Sequence, residues 1–273
     1  MKLDMISRYP ATTAKRVPLL FLHGSFSDAR VWSDHFLPYF AEHGYEAHAF
    51  SLRGHGRSEG LERIATWRLA DYVADLEKVA ASFSCAPIMI GHSMGGMVIQ
   101  KYLEKHRHAS GLVLMASVPP QGLMATTMHM AMRHPFLFQQ MAQLSMLGPR
   151  FGTPMIMRKI LFSRDMPESK LLGLFNYMQA ESQVVSMDMM SSTALQLKPE
   201  TLRMPVLVLG AHNDVLVAPT FVEQTAHFYK AELHIFRDMG HAMMLDTHWI
   251  KVADCLLAWL ERITAAKSAD IEG

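Results

Sequence analysis

The chain is short of everything that would tie it to an oxidising compartment, a bilayer or a charged polymer. Its only cysteines, Cys85 and Cys255, are too few for a disulfide framework. Both are expected to be buried thiols rather than a bridge, Cys85 ahead of an apolar run and Cys255 inside a helical pattern. Nowhere do about 18 apolar residues run together, so no segment is predicted to cross a membrane. Residues Met1 to Pro10 lack the continuous apolar stretch of a signal peptide, and the expectation is a soluble, cytoplasmic protein. Charge of one sign is lacking too: 26 Lys and Arg against 25 Asp and Glu leave a net +1, with no long single-sign run. That excludes the electrostatic footprint of a nucleic-acid binder. Internal repeats and low-complexity segments are absent.

Hydrophobic residues, by contrast, make up half of the 273. A chain of this length can bury a large core, and the length suits one α/β domain with an insertion. Short apolar runs at Pro18 to His23, Tyr45 to Leu52, Pro87 to Ile90 and Gly111 to Met115 read as strands. Between them, Ser33 to His43 reads as a helix, and so does a stretch after Thr66, a candidate N-cap, in which Leu69, Val73, Leu76, Ala80 and Phe83 recur at three- and four-residue steps. Strands alternating with helices of 10 to 15 residues predict a mostly parallel sheet with helices on both faces.

The alternation stops after residue 118. From 119 to 199 the pattern is helical without a convincing strand, broken at Pro135, Gly148-Pro149, Pro154 and Pro167, and it contains 13 of the 23 methionines. This predicts an inserted helical cap, with the core formed by residues 1–118 and 200–273. The strand pattern resumes at Met204 to Gly210 and Glu232 to Phe236, with a helix at Ala218 to Phe228 between them. A last amphipathic helix is predicted from Trp249 to about Ala265, and Lys267 to Gly273 as a frayed tail. The cap methionines Met124, Met128, Met132, Met155, Met157, Met187 and Met190 are read first as core filler, since methionine fits irregular gaps. The sharper expectation is that some line an adaptable apolar pocket.

Chemistry is concentrated in Gly91-His92-Ser93-Met94-Gly95, a G-x-S-x-G pattern directly after an apolar strand and before the helical Met97 to Leu103. In such a strand-to-helix turn the serine hydroxyl is pushed into the open, and the glycines sit where a Cβ would collide with neighbouring backbone. A serine hydroxyl needs a histidine to take its proton and a carboxylate to hold that histidine. With the serine on a parallel sheet, the order is serine, acid, histidine, each partner on a loop after a later strand. Asp214 follows the Val206 to Leu209 run and His241 follows Leu233 to Phe236, so order and placement agree. Asp188 and Asp238 are the rival acids; His212, His227, His234 and His248 are the rival bases, though none of them follows a strand with a glycine before it. His23 and His92 are read as supports of loop geometry, and Arg53 and His55 as a structural turn. His129 and His134 form no H-E-x-x-H pattern, and neither metal nor cofactor is expected.

With His23-Gly24-Ser25, Arg53-Gly54-His55-Gly56-Arg57-Ser58, the Ser93 turn, Gly210 to Asp214 and Gly240-His241 in place, the sequence resembles the α/β-hydrolase superfamily over 1 to 118 and 200 to 265. The Arg53 turn and Ser93 turn look like those of the monoacylglycerol lipase and lysophospholipase branch. The resemblance implies an α/β-hydrolase fold, ester hydrolysis without cofactor, and a small-molecule ester substrate with an apolar acyl group. It places the oxyanion-hole backbone donors on Met94 and Ser25, with Phe26 the alternative for the second. Two features depart from the pattern: Ser51 stands where an aspartate often precedes the R-G-H-G turn, and the loop His23-Gly24-Ser25-Phe26 lacks the glycine run of some lipases. Other reactions fit the same side chains, namely C–C bond, thioester or lactone hydrolysis and perhydrolysis, as does a ligand receptor with little turnover.

Overall fold

The computed structural model describes every residue except 12, 16, 148–152, 175–176, 191–194 and 273. Seven strands form one sheet in the order β1-β3-β2-β4-β5-β6-β7. They are β1 Met5–Arg8, β2 Leu19–Leu22, β3 Ala47–Phe50, β4 Ile88–His92, β5 Gly111–Met115, β6 Val206–Ala211 and β7 Glu232–Phe236. All neighbours are parallel except β1, which pairs antiparallel with β3 at the edge. Strand β1 was not predicted, because its four residues are only half covered and their Met5-Ile6-Ser7-Arg8 pattern carries no apolar run.

The central strands β2 to β5 are buried along their whole length; β2, β4 and β5 show the apolar runs that covered faces require, and β3 fits with Ala47, Ala49 and Phe50 beside a buried His48. Alternate side chains go to opposite sides. Leu19, Phe21, Ile88, Ile90 and Val113 pack with Trp32, Phe36 and Phe40 and with Val252, Leu256 and Trp259 of the last helix. Leu20, Leu22, Met89, Leu112 and Leu114 pack with Leu69, Leu76, Met97, Val98 and Val222 on the other face. Each such fully buried side chain contributes about 1.5–3 kcal/mol, so the two apolar layers fix the sheet between them. The helices concerned are α1 Phe36–Glu42 and α10 Trp249–Glu272 on the first face, and α2 Leu69–Ala80, α3 Met94–Tyr102 and α9 Pro219–Tyr229 on the second.

Several local expectations are corrected. The predicted Ser33 to His43 helix is shorter: a 3-10 turn occupies Ala29–Trp32 and α1 begins at Phe36. Thr66 does not cap α2; its hydroxyl closes a preceding 3-10 turn on the Arg63 carbonyl, and the Asp71 carboxylate accepts the Arg68 N–H at the true start. Helix α10 continues to Glu272, so residues 267–272 are helical rather than frayed, while Gly273 lies outside the described residues. Cys85 is exposed and Cys255 only half-buried, both as free thiols, because the loop before β4 runs on the surface.

Between β5 and β6 the chain forms α4 Met124–Arg133, α5 Pro135–Leu147, α6 Pro154–Leu161, α7 Glu168–Leu174 and α8 Gln183–Met190. Pro135 opens α5, and Pro154 opens α6 behind a Thr153 cap, as the missing proline N–H allows. The predicted break at Gly148-Pro149 lies outside the described residues.

Candidate active site

Strand β4 delivers Ser93 at its carboxyl end, and α3 starts at the next residue. Ser93 has φ +51 and ψ −118, a conformation that costs a side-chain-bearing residue about 1–3 kcal/mol. Backbone bonds hold it: its N–H donates to the Met115 carbonyl at 3.1 Å, and its carbonyl accepts from Gly96 and Val118 at 3.1 Å each. The turn is so tight that a Cβ on Gly91 would lie 2.6 Å from the Gly96 backbone, and one on Gly95 2.5 Å from the His23 carbonyl oxygen. Both glycines are there for close approach.

Asp214 and His241 come together from the loops after β6 and β7. The Nδ1–H of His241 donates to Oδ2 of Asp214 at 2.7 Å, with the His241 side chain 4% exposed and that of Asp214 fully covered. The other carboxylate oxygen of Asp214 accepts the N–H groups of Leu216 and Val217 at 2.8 and 2.9 Å. With three donors fixed on it, the acid is oriented as well as paired. The rival acids lie elsewhere: Asp188 binds the Arg68 guanidinium and the Leu69 N–H, and Asp238 is exposed. Ser93 and His241 line one cavity of about 330 Å³, whose wall is mostly apolar.

The methionines of that wall differ from those singled out in the sequence. Met157 and Met190 line it, together with Met130, Met141, Met178, Met189 and Met244. Met124, Met128, Met132, Met155 and Met187 are exposed, and so neither fill the core nor line the pocket. The reason is helix phase. On α4 the four-residue stripe of Met124, Met128 and Met132 faces outward, while Thr126, Thr127 and Met130 face the cavity.

The neighbouring histidines are structural. His23 donates from Nδ1 to the Gly24 carbonyl at 2.8 Å and accepts the Leu52 N–H at Nε2, 3.1 Å. Burial, then the nearby His55, lowers its pKa from the ordinary 6.5 to about 4. His92 donates from Nε2 to the His241 carbonyl at 3.0 Å. Burial first, and the proximity of His241 second, push its pKa well below the ordinary value, so it stays neutral beside the candidate base. The Arg53 turn is anchored by ion pairs to Asp75 at 2.7 Å and Asp71 at 2.9 Å, with the guanidinium over the Trp67 ring. Ser51, the departure from the usual aspartate, accepts the Ala29 N–H at its hydroxyl and the Ser58 hydroxyl at its carbonyl.

In the loop after β2, the Ser25 hydroxyl donates to Sδ of Met94 at 3.3 Å, tying together the two residues expected to supply oxyanion donors. Phe26 has φ +60, and its N–H donates to Oε2 of Glu181 at 3.3 Å. The Phe26 N–H is thus already committed to a carboxylate. Sequence reasoning missed both Glu181 and Asp246. The buried Asp246 carboxylate accepts the Ser163 N–H and hydroxyl at 2.8 Å each and the Gly240 N–H at 3.4 Å. It thereby pins the His241 loop to the end of α6. Its only sequence signal is an aspartate five residues after the histidine. Among the described residues, no group of three or more His, Cys, Asp or Glu is placed to hold a metal ion, and no helix is long and apolar enough to cross a membrane.

Comparison with known proteins agrees with this architecture. Residues 19–254 match the model of the alpha/beta hydrolase family. A non-heme chloroperoxidase of Streptomyces lividans is 31% identical over 107 residues, a stretch spanning only 38% of either chain. Among solved structures, an esterase from Exiguobacterium antarcticum superposes with a TM-score of 0.74 at 18% identity, covering 95% of each chain. A bromoperoxidase from Bacillus anthracis gives 0.73 at 18%, again over 95% of each. At these identities the structural likeness speaks for the fold alone.

Proposed function

The chain belongs to the alpha/beta hydrolase family, and from that premise we propose that it is a serine hydrolase of carboxylic esters with apolar acyl groups. Ser93 is the nucleophile, His241 the general base and then acid, and Asp214 the carboxylate that fixes the imidazole. One observation carries the reading: His241 is locked onto Asp214 at 2.7 Å while His241 and Ser93 line the same apolar cavity. Residues 119–199 act as a cap over the core of 1–118 and 200–273.

The reaction runs in two acyl transfers. His241 takes the hydroxyl proton of Ser93 as the oxygen attacks the ester carbonyl, and the charge gathers on the former carbonyl oxygen. The N–H groups of Ser25 and Met94 receive that charge, each worth about 3 to 4 kcal/mol of barrier. Collapse expels the alcohol with the proton from His241 and leaves Ser93 acylated. Water then gives a proton to His241 and attacks the acyl carbonyl; the carboxylic acid departs and Ser93 regains its hydrogen. The name of the chloroperoxidase relative favours one second reading, in which hydrogen peroxide replaces water in the last step and the product is a peracid.

The test is labelling by a fluorophosphonate that is abolished in Ser93→Ala, followed by multiple turnover of p-nitrophenyl butyrate. Labelling without turnover would leave a ligand receptor. A panel of esters, thioesters, lactones and diketones, with and without peroxide, separates the remaining chemistries.

A further inference from the structure

Residues 177–182, ahead of α8, reach the loop that carries Phe26. Gln179 donates its N–H to the Phe26 carbonyl at 2.8 Å, while Glu181 receives the Phe26 N–H at 3.3 Å. Both sides of one residue, held at a left-handed φ of +60 that phenylalanine rarely adopts, are thus clamped by the cap. Gln179 is itself fixed, accepting the Gly56 N–H at 2.8 Å and donating to the Asp28 carboxylate. Glu181 is more deeply set. Its side chain has no exposed surface, and Oε1 accepts the Tyr72 hydroxyl and the Ser182 N–H at 2.8 Å each.

A bare carboxylate here would oppose negative charge developing on the substrate oxygen a residue away. His55 faces this charge: its Nε2 lies 3.4 Å from Oε2 of Glu181, also fully buried, and offers a positive partner when protonated. Nothing in the reaction of Ser93, Asp214 and His241 uses either side chain. Glu181 reaches the backbone of Phe26, which adjoins Ser25, whose hydroxyl reaches Met94.

We propose that Glu181 is a positioning residue of the reaction: with its His55 counter-charge and Gln179, it holds Phe26 in its left-handed state and so aims the Ser25 N–H at the oxyanion. The cap is then a working part of the oxyanion loop as well as the wall of the acyl pocket, and the site is competent only while residues 179–181 are docked. This rests on the proposed serine-hydrolase reading.

The experiment compares wild type with Glu181→Ala and Glu181→Gln on p-nitrophenyl butyrate. It adds inhibition by an alkyl trifluoromethyl ketone, which forms a tetrahedral adduct, and by the matching alkyl amide, which does not. Misaiming a donor by an ångström costs up to about 100-fold. Glu181→Ala should lose kcat by about that factor, with KM and amide binding within about threefold of wild type and ketone binding weakened in parallel with kcat. Glu181→Gln, which keeps an acceptor for the Phe26 N–H, should return to within about tenfold of wild type. The proposal is overturned if kcat of Glu181→Ala stays within threefold, if ketone and amide weaken equally, or if Gln restores nothing. Should Glu181→Ala fail to fold, Tyr72→Phe removes one bond from the carboxylate and should lower kcat about fivefold with the same split between inhibitors; an unchanged kcat there overturns the proposal too. Wild type without Ser93-dependent turnover instead sinks the underlying reading, and this inference with it.

Discussion

His92 reaches across the site and donates from Nε2 to the carbonyl oxygen of His241 at 3.0 Å, with the two rings 4.7 Å apart. The residue before the candidate nucleophile therefore holds the loop that carries the candidate base. Replacing His92 by alanine should lower kcat by about 10-fold to 100-fold through displacement of that loop. Asparagine, which can still donate, should recover part of the loss. Steady-state kinetics on p-nitrophenyl butyrate check this, and equal activity of all three proteins would sink it.

Asp214→Asn keeps the volume of the side chain but can present an N–H to Nδ1 of His241 in place of an acceptor. The imidazole is then held in the wrong tautomer, and kcat should fall by about four orders of magnitude. A fall below tenfold, measured with the fold confirmed by circular dichroism, would show that another acid serves His241.

The apolar cavity makes chain length a direct readout. Met130→Trp, filling the wall contributed by α4, should cut kcat/KM for octanoyl esters by at least about 10-fold while leaving acetate within about threefold. Wild type that shows no preference beyond acetate across a p-nitrophenyl ester series would remove the acyl pocket from the account.

Stability should depend on pH through the buried histidines. His23, held down to about 4, and His92, held well below 6.5, stay neutral when folded, whereas the unfolded chain takes up protons below about 6.5. The stability they supply is complete above 6.5 and is lost as pH falls toward 4. His55 works in the opposite sense. Burial alone would lower its pKa, but the Glu181 carboxylate, the Arg53 carbonyl and Asp28 together raise it. Its contribution is full below 6.5 and fades as pH rises through the raised value. Melting temperatures between pH 4 and 8 should therefore fall on the acid side, and His92→Asn should flatten that limb. An acid limb unchanged in the variant would exclude His92 as its source.

The Arg53–Asp75 pair supports the turn below the oxyanion loop, and the Asp75 side chain is only 3% exposed. Asp75→Asn leaves the guanidinium with the more exposed Asp71 as its carboxylate partner and should cost about 3–5 kcal/mol. Chemical denaturation checks this; a cost below about 1 kcal/mol would mean that Asp71 alone suffices for Arg53.

Much of this protein was legible in residue order alone. The strands were, because β2, β4, β5 and β6 lie in the middle of a parallel sheet, and burial on both faces leaves continuous apolar runs that no helix interrupts. So was the placement of Ser93, Asp214 and His241 on loops at the sheet's carboxyl ends, since parallel strands with a fixed connection hand deliver the loops after β4, β6 and β7 to one edge. What only tertiary structure decided is which side of α4 faces inward. Methionine spacing on α4 gives a stripe but not its direction, so Met130 could not be told from Met128. Nor could any periodicity show that Glu181 grips Phe26 across 155 positions. Such contacts depend on how the helices between β5 and β6 are laid on the sheet, and that is set by packing, not by a local repeat.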